Sequence, residues 1–261
     1  MAEANFYNDN ADLKFHMEQM VEWDAIFHAR SGMEEERDRW ASEEEARETY
    51  LGMLEDPVGK LAAGRIAPRA AEIDEQGCTL KDGKVILPSG MENNLRDLAN
   101  ADLMGFTLPV RFGGLGFPYT AYTAAVEIIS RADASLMNFF GLQGIADTIA
   151  LFADEGIREQ YLPRFASGAI TGAMVLTEPD AGSDLLSIQT SATLDEKASR
   201  WRIRGTKRFI TNGCGDVLLV LARSEDPQAY RGGRGLSLFL VEKGERVHVR
   251  RVEHKLGIHG S

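Results

Sequence analysis

The chain has 261 residues, 44% of them hydrophobic and 26% charged, which describes a globular protein rather than a disordered or fibrous one. Its formal net charge of −11 opposes binding to phosphate backbones, so a nucleic-acid partner is not expected. The two cysteines, Cys78 and Cys214, lie far apart and form no Cys-x-x-Cys pair, which argues against a disulfide framework or a zinc ribbon.

The start, Met-Ala-Glu-Ala-Asn, has no basic stretch followed by an apolar one, and no apolar run is long enough to span a bilayer. A cytoplasmic location with no membrane partner is the expectation. The nearest approach to a basic patch is Arg231-Gly-Gly-Arg234, which reads as a turn between strands.

The first half is helical in texture. Leu13, Met17, Met20 and Val21 recur at helical spacing. Ser42-Glu-Glu-Glu45 has the form of a capping box, ahead of Ala46, Tyr50, Met53 and Leu54. Pro57 suits the first turn of a following helix carrying Val58, Leu61, Ala62 and Ile66, and Pro68 is expected to kink or end it. Asp82-Gly83 sits between two short apolar runs and predicts a small hairpin. Helices resume near Glu92. A Gly-rich loop, Leu108 to Gly116, precedes apolar helices over 119–131, 135–154 and 156–167.

From Ala169 the pattern shortens. Strands are expected at 170–176, 188–194, 201–204, 207–210, 217–222, 236–241 and 247–252, separated by turn residues. The fold class is therefore α+β: an all-helical N-terminal domain, then a β-barrel-like middle domain. The expected division is a helical extension over 1–50, a helical domain over 51–168 and a β-domain over 169–261.

The common nucleotide and catalytic signatures are absent: no GxGxxG after a strand, no P-loop, no HExxH and no GxSxG. Two segments remain. Ala173-Met-Val-Leu-Thr-Glu-Pro-Asp-Ala-Gly-Ser-Asp184 is a strand running into a hydroxyl-rich turn, and loops held at strand ends are where binding groups tend to sit. Trp201-Arg-Ile-Arg-Gly-Thr-Lys-Arg-Phe-Ile-Thr-Asn-Gly213 alternates like a hairpin and ends in turn residues. Singly, each also reads as ordinary turn chemistry.

In order, the two segments resemble the acyl-CoA dehydrogenase family. Pro109-Val-Arg-Phe-Gly-Gly-Leu-Gly116 is similar to a loop of that family. Gly156-Ile-Arg-Glu-Gln-Tyr-Leu-Pro163 is similar to its helix before the β-domain, and His254-Lys-Leu-Gly-Ile-His-Gly-Ser261 to the segment closing that domain. His259 stands where many members carry Arg. With residues 1–50 and the Ile86-Leu-Pro-Ser-Gly90 segment, it points to the longer methylmercaptopropionyl-CoA dehydrogenase-like branch.

The resemblance implies FAD as cofactor, an acyl-CoA thioester as substrate, and α,β-desaturation with hydride transfer to flavin N5. It implies electron-transferring flavoprotein as partner and a homo-oligomer at full length. Met174, Leu176, Thr177, Gly182, Ser183, Phe209, Ile210 and Thr211 would border the flavin. Leu176 and Thr177 would meet the pyrimidine edge, and Thr211 would lie near N5. Phe209 would take the place of the usual Trp on the ring. Ser183 would reach the pyrophosphate and border the CoA arm of the substrate.

The family's catalytic base is a glutamate of a C-terminal helical bundle, so no catalytic residue is expected in this chain. The parent polypeptide is expected to continue past Ser261, and the chain alone to be inactive. Glu178 belongs to the Thr-Glu-Pro turn and is not a substitute. Other readings are a non-catalytic FAD- or acyl-CoA-binding module, a subunit whose partner supplies the base, and an acyl-CoA oxidase-like flavoenzyme.

Overall fold

A computed structural model describes residues 4–33, 39–226, 230 and 232–261. The chain divides into two compact units. The helical unit comprises residues 1–79, 86–169 and 255–261, and the sheet unit residues 80–85 and 170–254.

The helical unit begins with α1 (Ala11–Phe15), a π-helical turn over His16–Met20 and α2 (Trp23–Ser31). Val21 takes an extended conformation (ψ 124°) and separates them. In α3 (Glu43–Met53) the N-cap is as expected: Ser42 Oγ accepts from Glu45 N–H at 3.2 Å. The Glu45 carboxylate reaches back to Ala41 N–H at 2.7 Å, one residue before the position a capping box specifies. Asp56 leaves the helical region immediately before Pro57, as the residue preceding proline tends to. Pro68 does not end a helix. It lies at the start of α4 (Ala67–Gln76), into which a π-helical turn over Ala62–Ile66 runs without a break.

Asp82 (φ 50°) and Gly83 (φ 74°) both occupy the left-handed region and turn β1 (Thr79–Lys81) into β2 (Lys84–Ile86), the hairpin that Asp-Gly predicts. Then follow α5 (Ser89–Asn100), α6 (Tyr119–Ala132), α7 (Ala134–Phe140), α8 (Gly144–Phe152) and α9 (Glu155–Ala166). The expected 135–154 helix is broken between α7 and α8 by a 3-10 turn at Gly141–Gln143. Asp133 caps α7 by accepting from Ser135 N–H at 2.8 Å.

Leu54, Val58, Ala62, Ile66, Leu98, Ala125 and Ile129 line the core of this unit and are fully buried. An aromatic cluster joins them: Phe117 meets Tyr50 at 4.9 Å and Phe106 at 5.3 Å, both edge-on. The Gly-rich loop is shaped by close approach. A β-carbon at Gly114 would lie 2.1 Å from the Leu108 carbonyl oxygen, so glycine alone fits.

In the sheet unit, β3 (Gly172–Val175), β4 (Ser191–Asp195), β5 (Arg200–Arg204), β6 (Val217–Arg223) and β7 (Leu236–Glu242) form one sheet. β6 is its centre. β7 runs antiparallel along one edge of β6 from Val217 to Arg223. The other edge is shared: β3 pairs with it in parallel over Val217–Val220, and β4 meets it at Arg223. β5 pairs antiparallel with β4.

Among the described residues this sheet does not close on itself. The structure supports mixed helix and sheet. Two segments expected as strands make no ladder, 207–210 and 247–252. In the first, Phe209 (φ 57°) cannot belong to a strand. Gly232–Gly235 forms a 3-10 turn, while Arg231 of the expected Arg231–Arg234 turn lies outside the described residues. No helix among the described residues is long and apolar enough to cross a membrane.

Candidate functional site

The two segments singled out in the sequence meet at the C-terminal end of β3. Leu176 and Thr177 leave the strand there. Residues 178–181 then form a tight turn in which Glu178 N–H donates to the Ala181 carbonyl at 2.8 Å, with Pro179 at the position that fixes φ for such turns. Against this turn lies the 205–213 segment. Arg208 N–H donates to the Thr177 carbonyl at 2.9 Å, and Lys207 Nζ donates to the Leu176 carbonyl at 2.8 Å.

A buried ion pair anchors the junction. Lys207 Nζ lies 2.8 Å from Glu178 Oε1, with side-chain exposures of 9% and 7%. Glu178 also accepts from the backbone N–H groups of Gln189 at 2.7 Å and Thr190 at 2.9 Å. Burial pushes its carboxyl up, but these hydrogen bonds, led by that from Lys207, outweigh burial and hold it down at about 2. Glu178 is therefore a fixed anion, saturated with donors, and unsuited to removing a proton near neutral pH.

Gly205 and Asn212 let the second segment run this close. A β-carbon at Gly205 would lie 2.1 Å from the Thr190 hydroxyl oxygen. Asn212, buried and left-handed at φ 50°, donates from Nδ2 to the Gly172 carbonyl at 2.9 Å and so pins the end of the segment to β3.

The residues expected to border a flavin fall as follows. Met174, Leu176, Thr177 and Ile210 are half-buried, and Gly182, Ser183, Phe209 and Thr211 are exposed. Ile210 packs on the small core of Ala173, Val175, Leu218 and Val220. Gly182 abuts Thr177, since a β-carbon there would lie 3.5 Å from the threonine methyl. Phe209 is 60% exposed despite its size and is held at positive φ, an arrangement that costs about 1–2 kcal/mol for a bulky residue.

The hydroxyls of Thr177, Ser183 and Thr211 have no protein partner among the described residues, nor has Thr177 N–H. The junction thus offers an exposed aromatic ring, with the Arg208 guanidinium 4.4 Å from its centre, and polar groups without protein partners among the described residues. That donor set fits a planar heteroaromatic ring carrying a phosphate tail.

Sequence reasoning did not name Lys207, Gly205 or Asn212 among the site residues, although all three lie inside the second motif. Gly205 and Asn212 read as turn residues, and Lys207 as the start of a strand. Only the fold shows that the segment is bolted to Leu176, Thr177 and Gly172. Among the described residues no three His, Cys, Asp or Glu side chains gather to hold a metal ion.

The last segment, 255–261, packs within the helical unit. His259 N–H donates to Asp74 Oδ1 at 2.8 Å, and its ring Nδ1 lies 3.1 Å from Asp74 Oδ2. Ring Nε2 lies 2.9 Å from the Lys255 carbonyl. Both ring nitrogens face acceptors, which only the doubly protonated ring satisfies. The bond to the Lys255 carbonyl, then that to Asp74, raises the imidazole above its ordinary value. The Asp74 carboxyl is lowered, first by the His259 backbone N–H.

Comparison with known proteins matches these features to named relatives. Residues 49–169 match the model of the acyl-CoA dehydrogenase N-terminal domain, and 173–261 that of the acyl-CoA dehydrogenase middle domain. The chain is 33% identical to 3-methylmercaptopropionyl-CoA dehydrogenase of Ruegeria pomeroyi, over 96% of this chain and 43% of that protein. It is 33% identical to mitochondrial isovaleryl-CoA dehydrogenase of Pongo abelii, over 80% of this chain and 47% of that one. The wider coverage of the first takes in most of residues 1–50.

Among solved structures, butyryl-CoA dehydrogenase of Megasphaera elsdenii superposes with a TM-score of 0.62 at 25% identity, covering 77% of this chain and 49% of that one. An acyl-CoA dehydrogenase of Bacillus anthracis complexed with FAD gives 0.63 at 26%, covering 82% and 33%. The chain spans less than half the length of the two curated relatives named here. With both domain models matched in sequence order, and the two motif segments brought together at one junction, the chain belongs to the acyl-CoA dehydrogenase family.

Proposed function

We propose that this chain forms the flavin-bearing N-terminal and middle part of an FAD-dependent acyl-CoA dehydrogenase acting on a thioester by α,β-desaturation. The observation that carries the reading is the junction of Leu176–Thr177 with Lys207–Thr211, where Phe209 is exposed and hydroxyls lack protein partners among the described residues. When bound, FAD would supply the hydride acceptor at N5.

The chain's own residues would hold and orient it. Leu176 and Thr177 would present backbone donors to the pyrimidine edge, where aimed N–H groups stabilise developing negative charge. Phe209 would cover one face of the ring; being Phe rather than Trp, it supplies stacking without an indole donor. Thr211 would hydrogen-bond near N5, and Ile210, Met174 and Gly182 would complete the rim. Ser183 would serve the pyrophosphate and border the CoA arm of the substrate.

Glu178 is committed to Lys207 and to two backbone donors. The base is therefore assigned to residues other than these, and this chain alone is inactive. That commitment also supports a second reading, a binding module whose partner supplies the base. The division at 50 and 168, closure of the sheet toward a barrel, electron-transferring flavoprotein as partner, a homo-oligomer and a cytoplasmic location belong to the same proposal.

An absorbance spectrum with added FAD, followed by anaerobic addition of a short acyl-CoA, tests it. A bound flavin band that does not bleach supports a pocket without its base. Bleaching would place a working base within these residues and overturn that part. A chain that takes up no FAD would remove the support for the pocket.

A further inference from the structure

Lys207 is nine-tenths buried, and it divides its ammonium between Glu178 Oε1 and the Leu176 carbonyl, each 2.8 Å away. As a source of stability such a pair is weak, because desolvation offsets the attraction and an apolar pair of similar volume often does as well. The geometry gives the lysine a second task. The Leu176 carbonyl and Thr177 N–H are the two ends of one peptide unit, joined by resonance. A charge-assisted bond at the oxygen draws electron density from the nitrogen and strengthens its N–H as a donor.

Thr177 N–H has no acceptor among the described residues. Its direction is fixed from both sides. Lys207 holds the peptide before it, and the peptide after it is held by Arg208 N–H at 2.9 Å and by Glu178 N–H donating to Ala181. Glu178 balances the ammonium charge, so the effect stays local to the peptide that Lys207 touches. The result is an aimed, polarised and unpaired donor at the end of β3.

We propose that Lys207 is a positioning residue that acts through the Leu176–Thr177 peptide to strengthen Thr177 N–H toward the pyrimidine edge of bound flavin, and so raises the preference of the site for reduced over oxidised cofactor. This rests on the FAD reading above. Reduction adds negative charge at that edge, so a stronger donor there favours the reduced form more than the oxidised one.

The test uses this chain with two variants. The double variant Glu178→Gln/Lys207→Met removes both charges and keeps an amide oxygen as acceptor for one of the two N–H groups, of Gln189 and Thr190, that Glu178 binds. Lys207→Arg keeps the cation. The first readout is the Thr177 amide resonance in 15N-labelled protein, which needs no flavin. The second is the ratio of affinities for reduced and oxidised FAD.

In the double variant the amide is expected to move upfield and the ratio to fall about three- to tenfold, as loss of cooperative polarisation of one strong bond implies. Lys207→Arg is expected to keep both at the parent's values. A purely structural role would leave them unchanged once the double variant folds. Unchanged values in a folded double variant, with FAD still bound, overturn the proposal and leave the FAD reading standing. A parent chain that binds no FAD overturns both, and the amide shift then reports polarisation without a flavin to receive it.

Discussion

Gly205 passes so close to Thr190 that an added β-carbon would lie 2.1 Å from the threonine hydroxyl oxygen, and Thr190 is itself 2% exposed. Thr190 has no room to give, so any relief must come from the exposed Gly205 backbone. Gly205→Ala is therefore expected to destabilise the sheet unit by about 1–3 kcal/mol, as overpacking a filled site does. A lower urea midpoint at unchanged slope checks this. A midpoint equal to the parent's would mean that the 205–207 backbone moves freely.

Glu178→Ala leaves Lys207 buried without its carboxylate and two backbone N–H groups without an acceptor. The expected loss is about 3–5 kcal/mol, and Glu178→Gln should lose less. Because the folded carboxyl titrates near 2 against an ordinary 4.5, its contribution is complete above 4.5 and is lost as pH falls from there toward 2. Unfolding by denaturant between pH 2 and 6 should show this acid-side decline in the parent and a shallower one in Glu178→Gln.

The His259–Asp74 pair gives a dependence of opposite sign on the alkaline side. A raised imidazole stabilises fully below its ordinary 6.5, and the contribution is lost as pH rises through the folded value. A lowered Asp74 contributes above its ordinary 3.8 and is lost as pH falls through the folded value. The pair therefore holds the 255–261 segment best between these two pH values. Amide exchange at Cys78, whose N–H donates to the His259 carbonyl at 2.9 Å, should quicken as pH rises beyond this window, after correction for intrinsic exchange. In His259→Arg the alkaline quickening should disappear.

Phe209 combines positive φ with 60% exposure, so the folded chain gains little from it by burial. Phe209→Gly relieves the backbone and raises unfolded-state entropy, for a net gain of about 0.5–1 kcal/mol. FAD affinity should fall in the same variant. Thermal unfolding and flavin titration on one preparation separate the two effects, and a loss of stability would refute the strain argument.

Leu151 and Phe152 close α8 with exposures of 70% and 82%. Adjacent apolar side chains so exposed favour association. Leu151→Lys/Phe152→Ser should change stability by no more than about 0.5 kcal/mol for each substitution and reduce concentration-dependent light scattering. Scattering that stays as in the parent would acquit this patch.

Local signals carried much of the architecture. The Ser42 cap and the Asp82-Gly83 turn appear where residue type and spacing place them, because each is decided within a few residues. The two motifs that identify the family were legible for the same reason. What sequence could not show was where chain segments far apart meet. The Lys207–Glu178 pair reads as one charge in a hairpin and one in a turn until β3 and the 205–213 segment come together. The expected strand at 207–210 failed because its backbone bonds go to Thr177 and its side-chain bonds to Leu176 and Glu178, leaving no ladder to join. The single helix expected over 135–154 broke at Gly141–Gln143, where an apolar pattern continuous on both sides masks a local tightening.

The placement of β6 at the centre of the sheet has a consequence for biosynthesis. β3 leaves the ribosome first, yet its parallel partner begins at Val217, forty-five residues after Gly172, and β7 must wait for β6 as well. At ordinary elongation rates of roughly 5–20 residues per second, β3 spends about 2–9 s without the neighbour that completes its hydrogen bonds. During that interval the β4–β5 hairpin can form from contacts of short range, while Gly172–Val175 presents an apolar, unpaired edge. Slow codons ahead of Val217 would lengthen this exposure, and a chaperone that recognises extended apolar segments would find its target there.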